Sequence, residues 1–239
     1  MNEPVKVRPA STVVLLRDAA DAPELLMVRR NRALAFAGGF WVFPGGAVDD
    51  LDRQRAGDDE ELAARFAAAR EAEEEAGVAP DPAAMALVSH WTTPVPERKR
   101  FSTWIYAAQV PADTPVTIDG SEIHDFQWCS ARAALQAHRA GELPMMPPTY
   151  ITLCALARYA SAGEAVCGER ETPCPRVLPT MVPREEAEGG FLTLYPGDVG
   201  YEGGDAQAQG PRHRTVLVDG SWQYEYDCNC DSLPLYPIS

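Results

Sequence analysis

The stretch that decides the fold of this chain is REAEEEAGV, residues 70–78. It closes the run DEELAARFAAAREAEEEA, residues 59–76, in which almost every residue is a strong helix former. Asp58 and Asp59 stand where an N-cap carboxylate belongs, and Gly77 stands where a helix commonly ends. The sequence therefore predicts one helix over residues 59–76.

Three glutamates of this helix share one face, because Glu71, Glu74 and Glu75 are related by steps of three and four residues. Like charges at that spacing repel, so the bare helix is penalised. A bound divalent cation removes the penalty, since hard cations such as Mg²⁺ take oxygen ligands. The alternative is a solvated acidic face, which is a common fate of a run of glutamates.

A turn upstream favours the metal site. The segment FPGG, residues 43–46, follows an apolar run at residues 40–42 that is typical of a strand. Paired glycines permit a positive φ and a close approach of the backbone to a ligand. A glycine carbonyl, that of Gly45, is therefore a candidate ligand beside the glutamates.

Together these residues resemble the Nudix box, G-x5-E-x7-R-E-U-x-E-E-x-G-U, in which U is aliphatic. The second half matches from Arg70 to Val78. Counted from Gly46, the early acidic position falls on Asp52, and ten extra residues separate it from Arg70. Leu62 stands where an uninterrupted box has that glutamate, which leaves open how the first half of the metal site is supplied. An insertion in the box is a feature of the subgroup that resembles the peroxisomal coenzyme A diphosphatase.

The resemblance covers residues 8 to about 160 and implies an α/β fold, the Nudix α/β/α sandwich with a mixed sheet. It implies Mg²⁺ or Mn²⁺ as the cofactor, held by Gly45, Glu71, Glu74 and Glu75. Glu122 matches an acidic residue that precedes the final aromatic-rich strand of Nudix proteins. Its role is either an extra ligand or the general base, and the base could equally be Glu71; the alternative for Glu122 is an ordinary loop carboxylate. The candidate catalytic residues are thus Glu71, Glu74, Glu75 and Glu122.

Five arginines are candidate contacts for substrate phosphates, because a guanidinium matches phosphate oxygens with two hydrogen bonds. They are Arg29, Arg30, Arg32, Arg98 and Arg100. The alternative for each is a solvated surface arginine. Three aromatic residues nearby, Trp91, Phe101 and Trp104, could stack on a base or pack in the core.

The function that the resemblance implies is hydrolysis of a nucleoside diphosphate linked to a second moiety. The subgroup favours coenzyme A or acyl-coenzyme A as the substrate. ADP-ribose or another nucleoside diphosphate sugar is the alternative, because the box residues report the reaction and not the second moiety. A non-catalytic Nudix-fold binding or regulatory protein is the alternative of another class, and the intact set of glutamates argues against it.

The net charge of −14 over 239 residues argues against a nucleic-acid partner, which needs a basic surface. No apolar run approaches the roughly 18 residues of a membrane span. Residues 1–11 lack the apolar core of a signal peptide, so a cytoplasmic protein is expected. The resemblance implies a small nucleotide-type substrate. The six cysteines are then expected to be thiols.

Residues 1–143 are predicted to form the Nudix domain and residues 144–239 a helical and β-rich extension. The predicted strands of the domain are 8–17, 25–28, 86–91, 101–110, one within 111–118, and an aromatic-rich strand that follows Glu122 and ends near 129; its closing helix is 131–140. The extension should contain a helix over 149–161 capped by Thr149, and strands at 190–195, 214–218 and 222–226. It is expected to pack on the Nudix domain or on a second subunit, which makes a homodimer possible.

Overall fold

The structure is a computed structural model that describes residues 6–33, 37–95, 97, 99–183, 191–230 and 232–237. Its elements, in chain order, are β1 (Val7–Arg17), β2 (Glu24–Arg30), β3 (Trp41–Val42), β4 (Gly45–Ala47), α1 (Asp50–Ala56), α2 (Glu60–Ala76), a 3₁₀ turn (Pro82–Ala84), β5 (Ala86–Thr92), β6 (Arg100–Gln109), β7 (Ile123–Ser130), α3 (Ala131–Arg139), α4 (Pro147–Leu156), α5 (Ala162–Glu171), β8 (Arg176–Val177), β9 (Thr180–Pro183), β10 (Phe191–Leu194), β11 (His213–Val218) and β12 (Ser221–Tyr226).

A mixed sheet forms the centre of the molecule. Strand β1 runs parallel to β6 and antiparallel to β2 and β4, while β7 adds to β2 and β5 adds to β6. The apolar run Val13–Leu16 of β1 is almost completely buried, because both faces of the sheet are covered. Val13 and Leu15 pack with α2, whereas Val14 and Leu16 pack with α3, α4 and α5. The predicted α/β/α sandwich with a mixed sheet is confirmed.

Helix α2 lies against the sheet through its alanines. The buried residues of this face include Ala64, Ala68 and Ala72, which are fully shielded from solvent. Small side chains let the helix axis approach the sheet closely, so the last two turns of α2 come beside β1 and β4. The predicted helix over residues 59–76 is confirmed, with Asp59 as its N-cap.

The insertion in the box contains a helix that the sequence analysis did not predict. Helix α1 begins with a capping box, in which the Asp49 side chain accepts from the Asp52 backbone and the Asp52 side chain accepts from the Asp49 backbone. The spacing of two acidic residues three apart is the signal that could have revealed it. The extra residues thus fold as α1, a turn at Gly57 and the beginning of α2.

Two expectations about the middle of the chain are wrong. Residues 111–118 contain no strand; they form a turn and extended coil, and the prolines Pro111 and Pro115 lack the N–H that a sheet requires. The helix expected over 149–161 ends early, because α4 stops at Leu156, and a second helix, α5, begins after its N-cap Ser161. Thr149 is not the N-cap of α4, because Pro147 opens the helix with the φ angle suited to its first turn.

A second sheet forms the β-rich part of the extension, with the strand order β12–β11–β10–β9. The predicted hairpin is confirmed, since Asp219 and Gly220 both have positive φ and join β11 to β12. Of the strand expected at 190–195, residue 190 lies outside the described residues and 191–194 form β10. All six cysteines are free thiols, as expected.

The extension shares a core with the rest of the chain. The backbone N–H of Trp222 donates to Nε2 of His138 in α3 at 2.9 Å, and the indole packs in the same buried cluster as Val14 and Leu16 of β1. Strand β8 also pairs with β5 of the central sheet. The boundary between residues 143 and 144 and the homodimer stay predictions. Among the helices described, none has the length and apolar character needed to cross a bilayer.

We expect Trp222→Ala to destabilise the whole protein by about 3–5 kcal/mol, because it empties a buried indole site between the two parts of the chain. Denaturant unfolding followed by circular dichroism measures this change. Gln223→Ala, on the exposed face of the same strand, is the matched control and should be nearly neutral. An unchanged midpoint for Trp222→Ala would show that the extension folds independently.

Candidate active site

The two ends of α2 are fixed by capping contacts. The Asp59 carboxylate accepts from the backbone N–H of Leu62 at 2.9 Å. At the other end Gly77 adopts the left-handed conformation, with φ of 69°, and donates to the carbonyls of Ala72 and Glu73. These caps set the register of the helix, so that Glu71 and Glu75 point towards the glycine turn.

The glycine turn fits around the carboxylates of α2. The N–H of Gly45 donates to Oε2 of Glu75 at 2.9 Å. A Cβ at Gly45 would strike the Ser11 carbonyl and the neighbouring backbone of β1, and a Cβ at Gly46 would overlap the carboxyl group of Glu71. Glycine is therefore required at both positions for the turn to lie against β1 on one side and α2 on the other.

The three glutamates of the predicted metal site differ in exposure. The side chain of Glu75 is 7% exposed and that of Glu71 is 16% exposed, whereas that of Glu74 is 58% exposed. Glu74 pairs with Arg70 at 3.1 Å on the outer side of the helix. The structure thus brings Glu71 and Glu75 together at the turn, and the roles of Glu74 and of the Gly45 carbonyl as ligands stay predictions.

Arg70 joins the inserted helix to α2. Its Nη2 donates to Oδ2 of Asp52 at 3.0 Å and to the Ala47 carbonyl at 3.0 Å, and its Nη1 donates to Glu71 at 2.9 Å. Burial alone would lower the pKa of Arg70, but Asp52 and Glu71 outweigh burial and raise it. Asp52 is 1% exposed, so the early acidic position of the box is filled despite the insertion. The sequence analysis identified this position but assigned Asp52 no role.

Glu122 reaches the site from the loop before β7. The Asp119 carboxylate accepts from the backbone of Glu122 at 2.8 Å and of Ile123 at 3.0 Å. Burial opposes the charge on Asp119, yet these bonds and those from Ser121 lower its pKa to about 2. The Glu122 carbonyl also accepts from the Asn31 N–H at 2.7 Å. The loop is therefore well ordered by hydrogen bonds, with the Glu122 side chain 57% exposed.

Burial and mutual repulsion disfavour simultaneous ionisation of the carboxylates in the site. Burial raises the pKa of Glu75 to about 7, and the charges of Glu71 and Glu122 add to this effect, while the Gly45 N–H and Arg30 oppose it. Burial also raises the pKa of Glu71, with Glu74 and Glu122 acting in the same direction and Arg70 against it. Each carboxylate thus lies within electrostatic reach of the others.

Such a donor set fits a divalent cation. Its oxygens are those that hard cations prefer, and a cation would offset the repulsion among them. Among the described residues, no three Asp, Glu, His or Cys side chains lie close enough together to hold a metal ion as they stand. Binding of a cation by Glu71, Glu75 and Glu122 stays a prediction.

Among the predicted phosphate-binding arginines that are described, Arg30 is the one that the structure brings to these carboxylates. Its Nη1 lies 3.6 Å from Glu75 and its Nη2 lies 3.4 Å from Glu122. Arg29 instead lies over the Trp41 ring, 5.9 Å from its centroid. Arg32 is exposed beside Gly39.

The other two arginines come from the segment around β6. Arg98 lies outside the described residues. Arg100 donates to the Thr93 carbonyl at 3.0 Å, where β6 begins opposite Val7. Trp104 packs against His90 with a centroid separation of 4.3 Å, as in the core-packing alternative. Contacts of these arginines with a substrate stay predictions.

The fold and the site together define a protein of the Nudix class: an α/β/α sandwich in which an acidic helix faces a Gly-Gly turn. The model of the NUDIX domain matches residues 6–147, more than half of the chain. The chain belongs to the NUDIX domain family.

Two curated relatives are similar to this chain, and both are named acyl-coenzyme A diphosphatase NUDT19. The protein of Gallus gallus is 30% identical over 151 residues, which is 60% of this chain and 39% of the relative. That of Xenopus laevis is 26% identical over 158 residues, which is 55% of this chain and 41% of the relative. The chain thus spans about two fifths of the length of these relatives.

Among solved structures, a NUDIX hydrolase from Alicyclobacillus acidocaldarius is similar, with 27% identity and a TM-score of 0.62. The match covers 68% of this chain and 96% of that protein. These comparisons confirm the predicted Nudix family, whose pyrophosphohydrolases generally use divalent metals.

We expect Gly46→Ala to fold but to bind Mn²⁺ about 10- to 100-fold more weakly, because the new Cβ displaces the Glu71 carboxylate. Calorimetric titration with Mn²⁺ measures the affinity. Gly203→Ala adds the same atom in open space and serves as the control. Equal affinities for the two variants would exclude Glu71 from the metal site.

We expect Glu75→Gln to stabilise the metal-free protein by about 1–2 kcal/mol at pH 8 and by less at pH 5. The pKa of Glu75 is raised from 4.5 to about 7 in the folded state. The folded protein therefore holds this proton more tightly than the unfolded chain does, and its stability falls as pH rises through this window. A glutamine still accepts the Gly45 bond but has no charge to bury.

Denaturant unfolding between pH 5 and 8 in the presence of a chelator measures this difference. Glu73→Gln, the same substitution on the exposed side of α2, is the control. A gain from Glu75→Gln that stays constant with pH would contradict the electrostatic origin of the effect.

Proposed function

We propose that this protein hydrolyses the diphosphate bond of a nucleoside diphosphate linked to a second group, with Mg²⁺ or Mn²⁺ as its cofactor. The observation that carries the proposal is the meeting of Glu71 and Glu75 at the Gly45-Gly46 turn, with Arg30 lying between Glu75 and Glu122. Three carboxylates that repel one another are unsuited to bind an anion by themselves. With a metal ion they suit a diphosphate well.

The residues of the chain have distinct roles in this reaction. Glu71 and Glu75 would hold the cation, with Glu74 as the further candidate ligand. When bound, the cation neutralises charge on the phosphate oxygens and makes water a better nucleophile. The guanidinium of Arg30 would bind a phosphate oxygen, where it also offsets charge that develops during the reaction.

A carboxylate must take the proton of the attacking water. Glu122 suits this role because its side chain is open to solvent and its backbone is held by Asp119 and Asn31. Glu71 remains the alternative base, although its carboxylate already accepts from Arg70 at 2.9 Å. Arg70 itself serves to orient Glu71 and has no role as a substrate contact.

Coenzyme A or acyl-coenzyme A is the proposed substrate. The similarity to the two acyl-coenzyme A diphosphatases supports this choice, together with the insertion in the box. A nucleotide-type substrate is compatible with the negative net charge of the chain, because the metal and a few arginines would bind its phosphates. Arg29, Arg32, Arg98 and Arg100 stay predicted substrate contacts, and residence in the cytoplasm also stays a prediction.

We expect purified protein with Mg²⁺ or Mn²⁺ to cleave coenzyme A or acetyl-coenzyme A faster than ADP-ribose or NADH, as measured by release of the nucleoside phosphate. Glu75→Gln and Glu71→Gln should each lower kcat about 10²- to 10⁴-fold, because each removes a charged oxygen from the metal site. Glu73→Gln should retain the full rate.

Preferential cleavage of ADP-ribose would move the assignment to nucleoside diphosphate sugars. Full activity of the Glu71→Gln, Glu75→Gln double variant would contradict the metal site on α2. Binding of these compounds without turnover of any of them would favour a non-catalytic Nudix-fold protein.

A further inference from the structure

Arg30, at the end of β2, makes only long ion-pair contacts with the carboxylates of the site. The pairing of β2 with β7 shifts register between Arg29 and Arg30, which is the sign of a β-bulge. The backbone N–H of Arg30 donates to the Phe40 carbonyl at 3.1 Å, so the end of the strand is held in place. Arg30 faces α2, while its neighbour Arg29 lies over Trp41, as alternation along a strand requires.

The guanidinium of Arg30 provides charge to the site but makes poor hydrogen bonds there. Its distances of 3.6 Å to Glu75 and 3.4 Å to Glu122 exceed the usual 2.7–2.9 Å of a charge-assisted bond. For comparison, Arg17 of β1 contacts Glu24 of β2 at 2.7 Å. The Nε of Arg30 is buried and has no acceptor among the described residues. A buried donor without a partner is costly, so this geometry suits an arginine that awaits another ligand.

The same two carboxylates cannot serve Arg30 and a divalent cation equally well. Glu75 and Glu122 are the groups that Arg30 contacts, and a cation at the glycine turn would share them. The cation and the guanidinium repel each other at such short range. Binding of the cation would therefore loosen both ion pairs and free all the donors of Arg30.

We propose that Arg30 is an exchangeable counter-ion, which neutralises Glu75 and Glu122 in the metal-free protein and passes to the substrate diphosphate when the metal binds. This inference rests on the proposed function and adds a regulatory step to it. Arg30 competes with the metal when no substrate is present and cooperates with it when the diphosphate arrives. Productive binding is thereby coupled to the joint presence of metal and substrate.

The test separates the two stages with Mn²⁺ and with ADP, a plain nucleoside diphosphate. In the first stage, Mn²⁺ is titrated into the metal-free wild type, Arg30→Met and Arg30→Lys. We expect Arg30→Met to bind Mn²⁺ about three- to ten-fold more tightly than the wild type, because its competing charge is gone. Arg30→Lys keeps a charge and should stay near the wild type.

In the second stage, ADP is titrated into each protein at saturating Mn²⁺. We expect Arg30→Met to bind ADP about ten-fold more weakly, since a guanidinium bond to phosphate is lost. The signature of exchange is the opposite direction of these two changes. Arg17→Met removes an arginine from the ion pair with Glu24, outside the site, and should leave both affinities unchanged. Thermal unfolding of every variant verifies that it is folded.

Two results would overturn the inference while leaving the proposed function intact. The first is unchanged or weaker Mn²⁺ binding by a folded Arg30→Met, which would make Arg30 a fixed support of the carboxylates. The second is unchanged ADP binding, which would remove the transfer to substrate. A wild type that binds no divalent ion would overturn both the exchange and the proposed metal-dependent reaction.

Discussion

The ion pairs of Arg70 are the constraint on which the site depends. One guanidinium contacts Asp52 of the inserted helix, the Ala47 carbonyl after the glycine turn, and Glu71 on its own helix. Strand β4 and helix α1 are thereby held against α2 in one arrangement. Because the side chain of Asp52 is only 2% exposed, loss of Arg70 would leave an uncompensated buried charge. The insertion in the box is tolerated because α1 returns Asp52 to this contact.

Next to the ion pairs of Arg70, the site contains a buried carboxylate whose charge is unfavourable for folding. Glu75 is buried, accepts a bond from Gly45, and still has a pKa raised to about 7. A protein selected only for stability would place an uncharged residue there. The fold tolerates the cost because the alanine face of α2 and both of its caps hold the helix independently of the glutamates. Helix α2 is therefore stable enough to carry glutamates whose charge destabilises the fold, as is common where a function requires charge.

The sequence revealed the features that depend on neighbouring residues. Helix α2, its caps and the hairpin at Asp219-Gly220 follow from local propensity and turn chemistry, and the structure confirms them. Helix α1 was missed although its capping box was present, because the insertion was treated as a departure from the motif. Sequence also did not reveal that residues 147–171 form two helices. The signals were Pro147, which suits the first position of α4, and Ser161, which caps α5.

The orientation of side chains was less accessible from sequence. Helical spacing placed Glu71, Glu74 and Glu75 on one face, but three residues spread over a wide arc of a helix, and packing against β4 separates the inner two from Glu74. The alternation of side chains along β2 likewise could not show which of Arg29 and Arg30 faces the site, because a bulge changes the register with β7 between them. Asp119 orders the loop of Glu122 through backbone bonds that leave no recognisable pattern. The chemistry of the site thus depends on the acidic helix, while its geometry depends on long-range contacts that only the folded chain reveals.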